Sequence, residues 1–297
     1  KGSYIYPGSN RTIFGQNAIQ NDRYGYIDEE GYFITNDLQT VKSVPGPDIT
    51  YKINKYGFRS QHFKNLDKNK TNVLFSGCSS TFGEGMLKEY LWTSLLTDKI
   101  NSQNKDVYDV SAMGASIRLI IKNTLSFVRN YGNPDFIFIM LPDPHRDLQY
   151  NKDTENFINC FPHTMWLNKP NVGEFKTKKD FTLNYVPENT MLASVDYLHM
   201  LEDICESNSI KLLWSTWSNE SNSVYNKLNF RYYIEKPDIE NLRSTIYEKN
   251  IDFPFTNNEN NLPYWAVAGD DEHPGTFWTT YIADLFYKEA KERGYEI

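Results

Sequence analysis

The chain has 297 residues, 39% of them hydrophobic and 23% charged, enough for one large domain or a domain with an extension, and not the composition of a disordered or coiled-coil chain. The formal net charge is −7 and no long Lys/Arg run stands out, so a nucleic-acid partner is not expected. No apolar run approaches the roughly 18 residues needed to cross a bilayer, so no membrane span is expected either.

Residues 1–70 are rich in Tyr, Asn, Gly and Asp, with breaks at Pro7-Gly8 and Pro45-Gly46-Pro47. They sustain no helical period, although Tyr32-Phe33-Ile34-Thr35 could be a short β piece. The expectation is an irregular extension that packs along the main domain. From Asn72 onward, strands and helices alternate. Val73-Leu74-Phe75 reads as a buried strand ending at a glycine-rich turn, followed by a helix over Glu89 to Ile100. Val107 to Val110 is a second strand, and Ser116 caps a helix with Ile117, Ile120, Ile121, Leu125 and Val128 on its apolar side. Asp135 to Leu141 is the strongest strand, apolar on both faces. A helix from Ser194 to Glu206 leads into a strand from Ile210 to Trp214, and the last helix covers Thr276 to Arg293. This order predicts an α/β domain over residues 71–297, with a mostly parallel sheet covered on both faces. Two polar insertions, at about 147–188 and 218–262, are long enough to read as lids or specificity elements.

Cys78, Cys160 and Cys205 are widely spaced and odd in number, which argues against a disulfide framework and fits a reducing compartment. The start, Lys1-Gly2-Ser3-Tyr4, has no apolar h-region, so no signal peptide is expected within the chain. The chain is 15% aromatic. A large aromatic core is the plainer reading of that richness, and sugar-stacking loops are the other.

Three segments could carry chemistry. Gly77-Cys78-Ser79-Ser80-Thr81-Phe82-Gly83 follows the first strand of the domain. It lacks the spacing of a P-loop, a GxGxxG turn or a GxSxG elbow. It leaves a serine at the carboxyl end of a central strand, where open α/β sheets bind ligands; a polar turn without chemistry is the alternative. Asp270-Asp271-Glu272-His273-Pro274 precedes the last helix. His273 has the right basicity for a general base, and Asp270 could orient its ring. Acidic residues favoured by a helix N-terminus are the other reading. The cluster has no HExxH pattern and no second histidine nearby, so no metal and no cofactor are expected. Ser111-Ala112-Met113-Gly114-Ala115-Ser116 follows the second strand, and Gly114 could bring a backbone N–H to a ligand or simply turn the chain into a helix.

In this order, Gly77–Gly83, Gly114 and Asp270–Pro274 resemble the opening, second and closing blocks of the SGNH (GDSL-type) hydrolases. Asn54-Lys55-Tyr56-Gly57-Phe58-Arg59 is similar to the N-x-x-G-F-R stretch that often precedes such domains. The resemblance covers roughly residues 52–297 and implies a three-layer α/β/α sandwich with a flavodoxin-like sheet. It implies that Ser79 is nucleophile and oxyanion donor, Gly114 a second backbone donor, His273 the base and Asp270 its orienting carboxylate. Two positions depart from the pattern. Cys78 stands where the family has Asp and is read as a small packed residue. Asp143 stands where the family has an Asn donor. An ionised carboxylate cannot donate, so it serves the oxyanion hole only if protonated, and the alternative is that it caps its own loop or pairs with Arg146.

The expected function is a serine esterase that removes a small acyl group such as O-acetyl from a polar or carbohydrate carrier. An O-acyltransferase shares the same chemistry. A non-catalytic glycan-binding or particle-associated protein with a decayed site is the reading from another class. The oligomeric state is not readable from the sequence.

Overall fold

The computed structural model describes residues 25–36, 49–100, 103–151, 156–160, 187–236 and 275–297. In chain order these form β1 (Gly25–Ile27), β2 (Phe33–Asn36), β3 (Thr50–Ile53), β4 (Thr71–Gly77), α1 (Ser79–Phe82), α2 (Trp92–Lys99), β5 (Lys105–Asp109) and α3 (Ile117–Tyr131). They continue with β6 (Phe136–Leu141), β7 (Asp147–Asn151), β8 (Asn156–Cys160), α4 (Pro187–Ser207), β9 (Lys211–Thr216), α5 (Asn219–Tyr225) and α6 (Thr276–Glu292).

Strands β5, β4, β6 and β9 lie side by side in that order, all parallel. Taken by chain position, this is second, first, third, fourth, the flavodoxin-like order. The alternation of side chains divides the core in two. Leu74, Ile137, Ile139, Leu212 and Trp214 face one layer with Ile120 and Ile121 of α3 and Leu198 and Leu201 of α4. Val73, Phe75, Phe136, Phe138 and Met140 face the other, with Trp92 and Leu96 of α2 and Ile282 and Phe286 of α6. Trp92 stacks on Phe286 at 5.1 Å between ring centroids and meets Phe75 edge-on at 5.3 Å. Burial of each such side chain contributes about 1.5–3 kcal/mol. The architecture is therefore a three-layer α/β/α sandwich, and apolar faces on both sides of the sheet are the reason the central strands read as unbroken apolar runs.

Helix α2 begins later than its apolar spacing suggests. Lys88–Tyr90 form a 3-10 turn, and Leu91 is extended before the helix starts at Trp92. The described part of the 1–70 segment is also more ordered than its composition suggests. Strands β1, β2 and β3 form an antiparallel sheet, whose inner residues Phe33, Tyr51 and Ile53 pack with Ile49 against Phe82 and Met113. The first polar insertion contains a hairpin, β7 paired with β8, and the second opens with α5.

Candidate active site

The switch point of this sheet lies where the chain, after β4 and β5, returns to the other side of β4 to make β6, so the carboxyl ends of β4, β5 and β6 define the crevice in which such sheets bind ligands. Ser79 follows β4, Gly114 follows β5 and Asp143 follows β6.

The turn around Ser79 is shaped by two glycines. A Cβ on Gly77 would lie 2.0 Å from Thr81 Oγ1 and 2.9 Å from the Met140 carbonyl oxygen, so only glycine lets β4 turn this sharply into α1. Cys78 takes an extended conformation and precedes the helix; its carbonyl accepts the N–H groups of Thr81 and Phe82 at 3.1 and 2.9 Å. Gly83 closes the turn with φ +80°, where a Cβ would also meet Leu91 Cδ2 at 2.1 Å. The Ser79 carbonyl accepts from Gly83 and Glu84 at 2.8 and 3.1 Å. Ser79 is buried, and as the first residue of a helix its N–H has no intrahelical acceptor. No hydrogen bond from that N–H is formed among the described residues. Cys78 is a free, buried thiol packed among apolar side chains.

The Gly114 loop is bonded to the same turn. Ala112 N–H donates to the Gly77 carbonyl at 3.1 Å, and Ala115 N–H closes back on the Ala112 carbonyl at 3.1 Å. Gly114 takes φ +71° at the tip, a conformation that costs a side-chain-bearing residue. Ser116 Oγ accepts from Leu119 N–H and caps α3. One backbone bond thus sets Ser79 and Gly114 on neighbouring loops, each with a main-chain N–H uncommitted among the described residues.

At the root of this loop lies a carboxyl group that the sequence reading missed. Asp109, the last residue of β5, is buried. Burial pushes its carboxyl up to about 6, against the hydrogen bonding of Ser111 and the Lys88 and Arg59 charges. Ser111 N–H donates to its Oδ1 at 2.7 Å. An aspartate in a strand carries no sequence signal for this, because desolvation depends on what packs over it.

The third strand-end residue is Asp143. Its side chain is 50% exposed and its Oδ1 accepts His145 N–H at 2.8 Å. The carboxylate therefore caps its own loop through Oδ1, a bond Asp commonly makes to a backbone N–H two residues on. His145 in turn places Nε2 2.7 Å from Glu220 Oε2, joining the end of β6 to α5. Asp270 and His273 lie outside the described residues, as does His163. His62 stacks on Tyr32 and His199 on Phe230.

No protein-family model matches the chain, and no curated protein does. Solved structures do. A psychrotrophic esterase from Pseudoalteromonas sp. is 13% identical over 75% of this chain and 98% of its own, with a TM-score of 0.37. A member of the lipolytic protein G-D-S-L family from Veillonella parvula is 13% identical over 74% of this chain and 96% of its own, with a TM-score of 0.35. A carbohydrate acetylesterase family member from Sinorhizobium meliloti is 12% identical over 75% and 98%, with a TM-score of 0.36.

Proposed function

We propose that the protein is a serine esterase of the SGNH type. The observation that carries this is the Ala112-to-Gly77 bond, which brings a serine at the end of β4 and a left-handed glycine at the end of β5 to the switch point of the sheet. In this mechanism His273, oriented by Asp270, takes the proton from Ser79 Oγ as it attacks the ester carbonyl. The N–H groups of Ser79 and Gly114 hold the oxyanion. The tetrahedral intermediate collapses, His273 gives the proton to the leaving alcohol, and water releases the acyl group by the same steps.

The substrate proposed is a small acyl ester on a polar carrier such as a carbohydrate, supported by the net charge of −7 and the 15% aromatic content of the chain. The placement of Asp143 favours a second reading. With the third donor turned to its own loop, the site either works with two oxyanion donors or binds without turnover. Removal of one such donor costs about 2.7–4 kcal/mol of transition-state stabilisation, so slow hydrolysis is expected. The test is labelling by a fluorophosphonate together with hydrolysis of a short-chain aryl ester. Wild type should react in both, and Ser79→Ala and His273→Ala in neither; turnover that survives Ser79→Ala would remove the serine mechanism, and a wild type inert in both would favour the binding protein.

A further inference from the structure

The segment Asn54–Ser60 lies before the domain in the chain, yet it reaches both loops of the candidate site. Asn54 builds its geometry. Its Oδ1 accepts the N–H groups of Tyr56 and Phe58 at 2.9 and 3.2 Å, and its Nδ2 donates to the Gln61 carbonyl at 3.0 Å. Gly57 turns the chain with φ +89°, and Phe58 is sealed in the core. The next residue, Arg59, is therefore delivered on a rigid turn, only 4% exposed.

Its guanidinium faces the end of the nucleophile helix. Nη1 donates to the carbonyls of Phe82 and Gly83 at 3.2 and 2.9 Å, and Nη2 donates to the Met86 carbonyl at 3.0 Å. The carbonyls belong to the end of α1 and the turn that follows it, where Gly83 also accepts Met86 N–H at 3.2 Å, and a planar fork of fixed donors reaches all three at once. Tyr51 of β3 lies under the guanidinium at 4.6 Å, and its hydroxyl accepts Gly85 N–H at 2.9 Å. Ser60 holds the other loop: its Oγ accepts Asp109 N–H at 2.9 Å, two residues before the Gly114 loop begins at Ser111.

We propose that Arg59 and Ser60 are positioning residues, two adjacent side chains that hold the Ser79 turn and the Gly114 loop at one separation and so set the spacing of the two oxyanion donors. The inference rests on the esterase reading for its catalytic consequence, and on the contacts alone for the clamp itself. An ammonium carries its three donors on one nitrogen and cannot reproduce a planar fork whose donors sit on two nitrogens, so Arg59→Lys in the full chain is the informative change. A displacement of about 1 Å in a catalytic constellation can cost about a hundredfold. Arg59→Lys is expected to lower kcat on an aryl acetate by about that factor with little change in KM, because only transition-state contacts are lost. Hydrogen exchange should speed up at the amides of Gly83 to Met86 while that of β6 stays slow. Should Arg59→Lys fail to fold, Ser60→Ala removes a single acceptor and is read by the same two measurements, with exchange rising at 110–116. Undiminished kcat, or exchange that rises evenly across the sheet, overturns the proposal. If wild type neither turns over ester nor reacts with a fluorophosphonate, the esterase reading fails separately, and the exchange pattern alone decides the clamp.

Discussion

Asp109 and Asp143 are both aspartates at the ends of parallel strands, and their surroundings give them opposite characters. Asp109 is enclosed, and burial raises its carboxyl from 3.8 to about 6. The folded state thus favours its neutral form. That contribution is complete below the unfolded value and is lost as pH rises through about 6, a swing of roughly 3 kcal/mol by linkage. Asp109→Asn keeps an acceptor for Ser111 N–H and removes the titration. Urea unfolding at about pH 4 and about pH 7.5 should show the variant gaining on wild type at the higher pH; a constant difference would contradict the assignment. Asp143 has its Oδ1 on His145 N–H, and an asparagine oxygen can take the same bond. Asp143→Asn is expected to leave turnover unchanged, whereas a donor aimed at the oxyanion would raise it by about 10²–10³. Steady-state kinetics of the two proteins separates these outcomes.

At the scale of elements, the outer edge of the sheet depends on one residue of α4. Glu202 is fully buried, and its carboxylate accepts Trp214 Nε1–H at 2.9 Å and the N–H groups of Arg231 and Tyr232, each at 3.0 Å. It fastens α4 to β9 and to residues 231–234, which run along β9 through Trp214 N–H to Tyr232 and Ile234 N–H to Trp214. The exposed row of backbone groups that an edge strand would present is covered in this way. Glu202→Ala leaves the buried Trp214 Nε1–H and two part-buried N–H groups without their acceptor and should cost about 3 kcal/mol; Glu202→Gln retains an acceptor oxygen and should cost less. Urea midpoints at constant m-value provide the check. A helix from Ser194 to Glu206 was legible in the sequence. The burial of Glu202 within it was not, because a carboxylate inside a core is explained only by the donors that come to it from elsewhere.

For the whole molecule, the extension and the α/β domain are expected to unfold together. Phe33, Ile49, Tyr51 and Ile53 have their apolar partners in Phe82 and Met113, on the two loops of the candidate site, and Arg59 bonds to carbonyls 23 to 27 residues further along the chain. A chain beginning at Asn72 would expose Phe82 and Met113 and take the Arg59 donors from the carbonyls of Phe82, Gly83 and Met86. Loss of ester hydrolysis and a lowered melting temperature are expected for it, and residues 1–70 alone should show no cooperative unfolding transition. Full activity in the shortened chain would place the site's support within the domain itself.

The sequence by itself determined the succession of strands and helices along the chain, since burial on both faces of a strand leaves an unbroken apolar run and burial on one face of a helix leaves a local period, and both can be read directly. It also placed Ser79, Gly114 and Asp143 at strand ends, because glycines and polar residues must follow an apolar run that stops. What the tertiary structure alone decided is where those groups point and what surrounds them. The short strands of the extension find their apolar partners on distant loops, the hairpin β7–β8 is made by backbone pairing that a polar stretch does not advertise, Asp143 turns to a neighbouring N–H, and Arg59 reaches across the fold. Each of these depends on contacts between residues far apart in the chain or on the direction of one side chain, and neither leaves a periodic trace in composition or spacing.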